Sequence, residues 1–228
     1  PTWEVEDLRF SHGATGGAFA IDEGEISVII NAGPAVGSPA NLEWFPKGTP
    51  DYVRTRITTV PPDSGLQVRS NYLPETRHLE LTGQIELYDT DTLTFALRDP
   101  VRQATAALDI ALEQAGIELQ GGAQVAWSEG YRVGRGCLSG SVRECPNAGP
   151  ILTLESPPLS ELIAGILKPS QNWMTEQLIR TLGAELGEEG SWSEGIVVIS
   201  EFLTEVVGID SLDISPRDGS GLSAYNLV

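Results

Sequence analysis

The spacing of the apolar residues changes partway along this chain, and that change decides its fold class. In the first half Ile26, Val28 and Ile30 recur at every second position, as do Leu79, Leu81, Ile85 and Leu87, and then Leu93, Phe95 and Leu97. A period of two puts such side chains on one face of a strand, so these stretches read as half-buried sheet with one wet face. From Ile151 onward the spacing turns helical. Met174, Leu178, Leu182 and Leu186 form one row, with Glu176 and Arg180 paired at i, i+4. Trp192, Ile196, Ile199, Leu203 and Val206 form another row, ended by Gly208. A β-rich portion followed by a helical one makes an α+β chain.

Punctuation residues sharpen the elements. Asp99-Pro100 starts a helix at 99–115 with Val101, Ala104, Leu108, Ala111, Leu112 and Ala115 at helical spacing, and Gly116 stops it. A short apolar helix at 158–167 is closed by Lys168-Pro169, and further helices are predicted at 171–186 and 192–207. A strand is expected at 123–127, and the tail from Ile214 reads as a short strand running into a polar loop. Gly83 occupies an inward slot of its strand and suggests a bend or bulge. The stretches 31–50 and 61–77 read as long loops. The seam between the β-rich and helical portions falls at 129–150.

Charge narrows the partners. The chain carries 32 Asp and Glu against 14 Lys and Arg, a formal net charge of −18. A nucleic-acid backbone or anionic lipid surface is repelled by such a chain, and no basic stripe with interleaved aromatics appears. No apolar run reaches the ~18 residues of a membrane-spanning helix. The first residue is Pro1, without initiator Met, basic start or apolar leader core, so a processed or excised polypeptide is expected, its export signal already removed. The two cysteines, Cys137 and Cys145, lie far from His12 and His78, which is no zinc pattern. A short disulfide-closed loop is the leading reading over two free thiols, because Gly136 and Gly140 allow tight turning. A disulfide favours an oxidising compartment such as the periplasm.

Motifs for other chemistries are missing: no phosphate loop with Lys-Ser/Thr, no HExxH, no CxxC, no GxSxG. No metal or cofactor is implied. A Ser-His-Asp triad would need His12, in the turn SHGATGG, or His78, at a strand start, and both read more simply as ordinary turn or surface histidines. Ser-Lys chemistry is what remains for hydrolysis. Three serine sites stand out. Ser170, in Lys168-Pro169-Ser170-Gln171-Asn172, reads locally as the N-cap of helix 171–186. Ser220, in Asp218-Gly219-Ser220-Gly221-Leu222-Ser223, reads as part of a tight turn. Ser139-Gly140-Ser141, between the cysteines, reads as linker.

The order of these segments resembles the class C penicillin-binding proteins, the D-alanyl-D-alanine carboxypeptidase/endopeptidase family. Pro1–Leu8, PTWEVEDL, resembles its tryptophan-then-Asp-Leu segment, and the Gly-Ala-rich turn and the Ile26–Ala32 strand follow as in the family. LDIALEQAGIELQGG (108–122) resembles its helix-then-strand segment. ESPPLSELIAGILKPSQNWMTEQLIRTLG (155–183) resembles the helix pair carrying the Ser-x-Asn motif, and RDGSGLSAYN (217–226) its Asp-Gly-Ser-Gly-Leu-Ser loop. The likeness spans essentially the whole chain.

The resemblance implies a penicillin-binding/serine β-lactamase-like catalytic domain split by β-rich inserts. Residues 1–42 with 95–128 would form an inserted α/β unit, 43–94 a small β-rich unit, 129–150 a connecting loop, and 151–228 part of the catalytic domain. It makes Ser170 and Asn172 the second of three catalytic motifs, with Asn172 and Ser220 touching substrate. Neither Ser-x-x-Lys nor Lys-Thr-Gly occurs; Lys47-Gly48-Thr49 has the wrong order. In the family those motifs lie upstream and downstream of the matched stretch. The implied partners are peptidoglycan peptides and β-lactams, together with the missing remainder of the catalytic domain or an oligomeric partner. The implied location is periplasmic or extracytoplasmic. A non-catalytic envelope module on the same scaffold is the alternative. A β-lactamase sibling fits less well, because the large β-rich insert is a feature of the peptidases.

Overall fold

The structure, a computed structural model, describes residues 2–14, 17, 19–47, 53–72, 78–119 and 155–227. They fall in two compact units, Trp3–Ala123, and Pro1–Thr2 with Gln124–Val228. The architecture is α+β: two small sheets and a helix in the first unit, helices in the second. The expected disulfide Cys137–Cys145, the Ser139-Gly140-Ser141 stretch, the strand at 123–127 and the seam at 129–150 lie outside the described residues.

Six strands build the first unit: β1 (Glu25–Asn31), β2 (Asn41–Phe45), β3 (Val53–Val60), β4 (Gln67–Tyr72), β5 (Leu79–Glu86) and β6 (Thr90–Ala96). One sheet has the order β2-β1-β6, antiparallel throughout; the other is β3-β5-β4, with β3 parallel and β4 antiparallel to β5. The period-two residues do what their spacing dictates. Ile26, Val28 and Ile30 of β1 and Leu79, Leu81 and Ile85 of β5 are buried, and with Val53, Ile57, Tyr72, Phe95 and Leu97 they form one core. Tyr72 ties the two sheets together, its hydroxyl donating to the Ala96 carbonyl.

Three expectations need correction here. Strands β2 and β4 run through stretches expected to be loops. Both are edge strands, so they need few apolar residues: β2 contributes only half-buried Leu42 and Trp44, and β4 has Ser70 in an inward slot between Val68 and Tyr72. The run NAGPAVGSPA is loop, as expected, yet it is pinned along β3. Gly37 N–H donates to Thr59 O at 2.9 Å, Ala40 N–H to Ile57 O at 2.9 Å, and Gly33 N–H to the buried Thr59 hydroxyl at 2.7 Å. Gly83 marks no bulge, because the register runs unbroken through its pairings with Ile57 and Val68. Its φ of +136° and the nearness of the Gln67 carbonyl leave no room for a Cβ.

Helix α1 (Pro100–Gln114) begins where predicted. Asp99 caps it, Oδ1 accepting from Arg102 N–H at 3.1 Å, and Gly116 at φ +78° ends it. Its buried residues are Pro100, Gln103 and Ala104, whereas Leu108 is exposed. The second unit holds α2 (Leu159–Leu167), α3 (Asn172–Leu186) and α4 (Trp192–Glu201), which runs into a π-helical stretch, Phe202–Val207, closed by Gly208 at φ +83°. The row Met174, Leu178, Leu182, Leu186 is not the buried face of α3; Leu186 is exposed, and Glu176, Ile179 and Gly183 are buried instead. Small residues make that possible. Gly195 of α4 lies against the Ile179 backbone, and a Cβ on Gly183 would meet Gly195 N at 2.9 Å, so the helices cross at backbone contact. The tail forms one isolated bridge, Ser215 with Leu227, rather than the expected strand.

Candidate functional site

Ser170 stands between α2 and α3 in a conformation that local sequence reasoning misjudged. Its φ is +59°, in the left-handed region. The chain leaves α2 through a Schellman-type closure, Gln171 N–H donating to Ile166 O at 2.9 Å across the Ser170 turn. Glycine is the default in such a position because a Cβ is strained there. Nor does Ser170 cap α3. The cap is Gln171, whose side-chain oxygen accepts from Met174 N–H at 2.7 Å. Gln171 O in turn accepts from the Thr175 hydroxyl at 2.8 Å, which stiffens the first turn. Ser170 is exposed, and Asn172 follows as the first helical residue, half-buried.

One turn along α3 from Asn172, and on the same face, lies Glu176. It is fully buried, and its charge acts on Arg180, the i+4 partner its spacing pairs it with. Its carboxylate also gathers donors from two distant segments. The Trp192 indole N–H reaches Oε2 at 2.8 Å, and the backbone N–H groups of Gly219 and Ser220 reach Oε1 at 3.1 and 2.8 Å. The Arg180 guanidinium stacks on the Trp192 ring, 3.7 Å from its centroid. Burial lowers the Arg180 pKa and the charge of Glu176 raises it in opposition. Buried charges persist when compensated in this way, and here the compensation is a cation, an indole and two amides.

The loop that Glu176 holds is the Asp218–Ser223 segment. Asp218, itself buried, organises its interior: Oδ1 accepts from Gly221 N–H at 2.9 Å and from Asn226 Nδ2 at 2.8 Å, and Oδ2 from Ser223 N–H at 2.6 Å. Gly219 sits directly on Ile179, and a Cβ there would also lie 3.2 Å from Thr175 O. The loop is thus laid along the face of α3 that begins with Asn172. Buried Ser223 anchors its far end, sharing a 2.6 Å hydroxyl contact with Thr2. Ser220 is half-buried, with Leu222 N–H donating to its hydroxyl at 3.4 Å.

Sequence reasoning picked Ser170, Asn172 and Ser220 and missed Glu176, Trp192 and Asp218. The Glu176–Gly219 contact spans 43 positions, so no local spacing signals it. The small residues Gly195 and Gly219, both packed against Ile179, were the available hint of close packing. His12 lies in a single helical turn, Ser11–Gly13, 3.3 Å from the Asp7 carboxylate and stacked on Phe10.

Comparison with known proteins brings the whole chain into one group. Residues 1–228 match the D-Ala-D-Ala carboxypeptidase 3 (S13) family. A D-alanyl-D-alanine carboxypeptidase of Actinomadura sp. (strain R39) is 26% identical over 99% of this chain and 40% of its own length. Penicillin-binding protein 4 of Haemophilus influenzae has the same fold, with a TM-score of 0.73, 18% identity and coverage of 100% of this chain and 47% of its own. A second structure of that protein, in complex with a β-lactam, superposes with a TM-score of 0.68 at 21% identity, covering 93% and 45%. The chain spans less than half the length of each of these relatives.

Proposed function

This chain belongs to the D-Ala-D-Ala carboxypeptidase 3 (S13) family, and from that membership we propose that it forms part of a serine-type D-Ala-D-Ala carboxypeptidase/endopeptidase. Its substrates are peptidoglycan stem peptides outside the cytoplasm, and β-lactams acylate it. The observation that carries the reading at residue level is Ser170, a serine held in a left-handed turn where glycine is easier, exposed, and relieved of capping by Gln171. Strain of this kind is retained where a side chain has work to do.

The chemistry follows from the general penicillin-binding set, Ser-x-x-Lys, Ser-x-Asn and Lys-Thr-Gly. The first serine attacks the D-Ala-D-Ala carbonyl while its lysine takes the proton. The Ser170 hydroxyl passes a proton to the departing amine, and the Asn172 amide hydrogen-bonds the substrate backbone. The third motif supplies a cation for the terminal carboxylate and shapes the oxyanion site. Ser170 and Asn172 are the members present in these 228 residues. Acylation needs a nucleophile about 3 Å from its base and from the reacting carbonyl, so these residues alone do not acylate.

Residues 151–228 are proposed to be completed by further catalytic-domain polypeptide or by an oligomeric partner. Leu159, Ile163 and Leu167 make an i, i+4, i+8 row along α2, and all three are exposed. A row of that kind is the face of a helix meant to be covered.

The test is covalent labelling of the intact protein with a fluorescent penicillin. The wild type labels, and S170A labels roughly 10²–10⁴ times more slowly, the range for losing a positioned proton-transfer group. An intact wild type that stays dark under saturating penicillin would leave the non-catalytic envelope module as the reading.

A further inference from the structure

The Ser-x-Asn motif alone does not account for the buried carboxylate beneath it. We infer that Glu176 is a positioning residue for the reaction: it locks the Gly219–Ser220 loop onto the Asn172 face of α3, so that loop and motif form one rigid wall of the site. This inference rests on the proposed function.

Glu176 cannot act on substrate itself, being fully buried with its oxygens turned to Trp192, Gly219 and Ser220. What it does is geometric. Asn172 and Glu176 are one helical turn apart on the same face, so whatever fixes the carboxylate fixes the start of α3. The carboxylate is held from α4 by an indole and from the loop by two successive amides. Those amides point inward and are spent on Glu176, as the Gly221 and Ser223 amides are spent on Asp218. The loop therefore offers the site its shape rather than these four N–H groups. Glutamine cannot do the same job: the carboxylate accepts on both oxygens, whereas glutamine would turn an NH₂ donor toward donors already present.

The experiment uses the intact protein, with E176A, E176Q, E176D and W192F compared to wild type. The acylation rate with a β-lactam is separated into the affinity of the encounter complex and the chemical step. Hydrogen exchange of the Gly219 and Ser220 amides is followed in parallel. E176A and E176Q should both slow the chemical step by roughly a hundredfold, the cost of an ångström-scale misplacement, and both should release the two amides to faster exchange. E176D, which keeps two acceptor oxygens, should recover part of the rate. W192F removes a single donor and should slow acylation only a few-fold, which keeps the idea testable if the Glu176 variants fold poorly. I166A, destabilising the same unit away from the loop, supplies the control for mere loss of stability.

Acylation of E176Q at the wild-type rate overturns the inference, as does an I166A protein of equal melting temperature that loses as much rate. Undisturbed Gly219 and Ser220 amides in E176A overturn it too. If the wild type itself fails to acylate, the proposed function falls first and takes this inference with it. If the wild type acylates and Glu176 proves dispensable, the inference falls alone.

Discussion

A left-handed φ costs a serine on the order of 1–3 kcal/mol, a cost a glycine would not meet. At Ser170 the sequence meets that cost beside a residue, Gln171, that already supplies the helix cap. The two neighbours should therefore separate on mutation. Q171A removes an acceptor from the Met174 N–H and should lower the unfolding free energy by about 1 kcal/mol. S170A leaves the backbone strained and the Gln171 cap on Met174 N–H in place, so its stability should stay within about 0.5 kcal/mol of wild type. Urea denaturation of both variants decides the matter, and an S170A loss equal to that of Q171A would mean the hydroxyl is structural. From the sequence the serine looked like the cap, because Pro-Ser before an apolar-periodic run is the usual signature and glutamine is not a favoured N-cap type. The place of Ser170 between two helices was legible in the sequence; which neighbour caps the second helix was not, because that is settled by backbone conformation, which residue order does not report.

Elements with apolar residues at regular spacing announced themselves, and those with few such residues did not. Strands β1, β5 and β6 and the four helices were placed to within a few residues, since repeated apolar spacing is a strong signal. Strands β2, β3 and β4 were not picked out because polar and charged residues fill most of their positions and leave little apolar alternation to read. The buried face of α3 was misassigned because its interior is Glu176, Ile179 and Gly183, a carboxylate and a glycine where apolar residues are expected. At the start of β1 a further charge is out of place. Partial burial raises the Glu25 pKa from 4.5 to about 7, and Glu23 and Asp22 push in the same direction. The native state thus holds this proton more tightly than the unfolded chain. Its contribution to stability is complete below pH 4.5 and disappears as pH rises through about 7. E25Q should remove that loss, giving a melting temperature higher than wild type above pH 7 and a flatter profile between the two values. An E25Q profile that runs parallel to wild type from pH 4 to pH 8 would mean the carboxylate is already ionised in the folded protein.

At the scale of the molecule, apolar burial is unevenly shared. The contiguous core of Ile26, Val28, Ile57, Leu81, Ile85, Phe95 and their neighbours belongs entirely to the Trp3–Ala123 unit. Among the described residues of the other unit, Ile166 and Ile179 are the buried apolar side chains, while Leu159, Leu167, Leu186, Val206 and Leu212 are more than half exposed. Full burial of such a side chain is worth roughly 1.5–3 kcal/mol, of which each of these forgoes a large part. The helical unit is therefore held less by a core than by the polar junction at Glu176 and the glycine-mediated crossing of α3 and α4. Local opening should follow that difference, because amides exchange through the cheapest opening that exposes them. Measured peptide by peptide on the 228-residue chain, β1 and β5 should exchange slowest, and α2, which buries Ile166 alone, fastest among the regular elements. The Glu176-bound amides of Gly219 and Ser220 should be slower than the α2 amides even though they sit in a loop. In the intact protein the α2 amides should slow by a larger factor than those of β5, since the Leu159–Ile163–Leu167 row is then covered. Protection of α2 equal to that of β5 in the 228-residue chain would mean its apolar row is already buried, and the proposal that more polypeptide completes this unit would lose its physical basis.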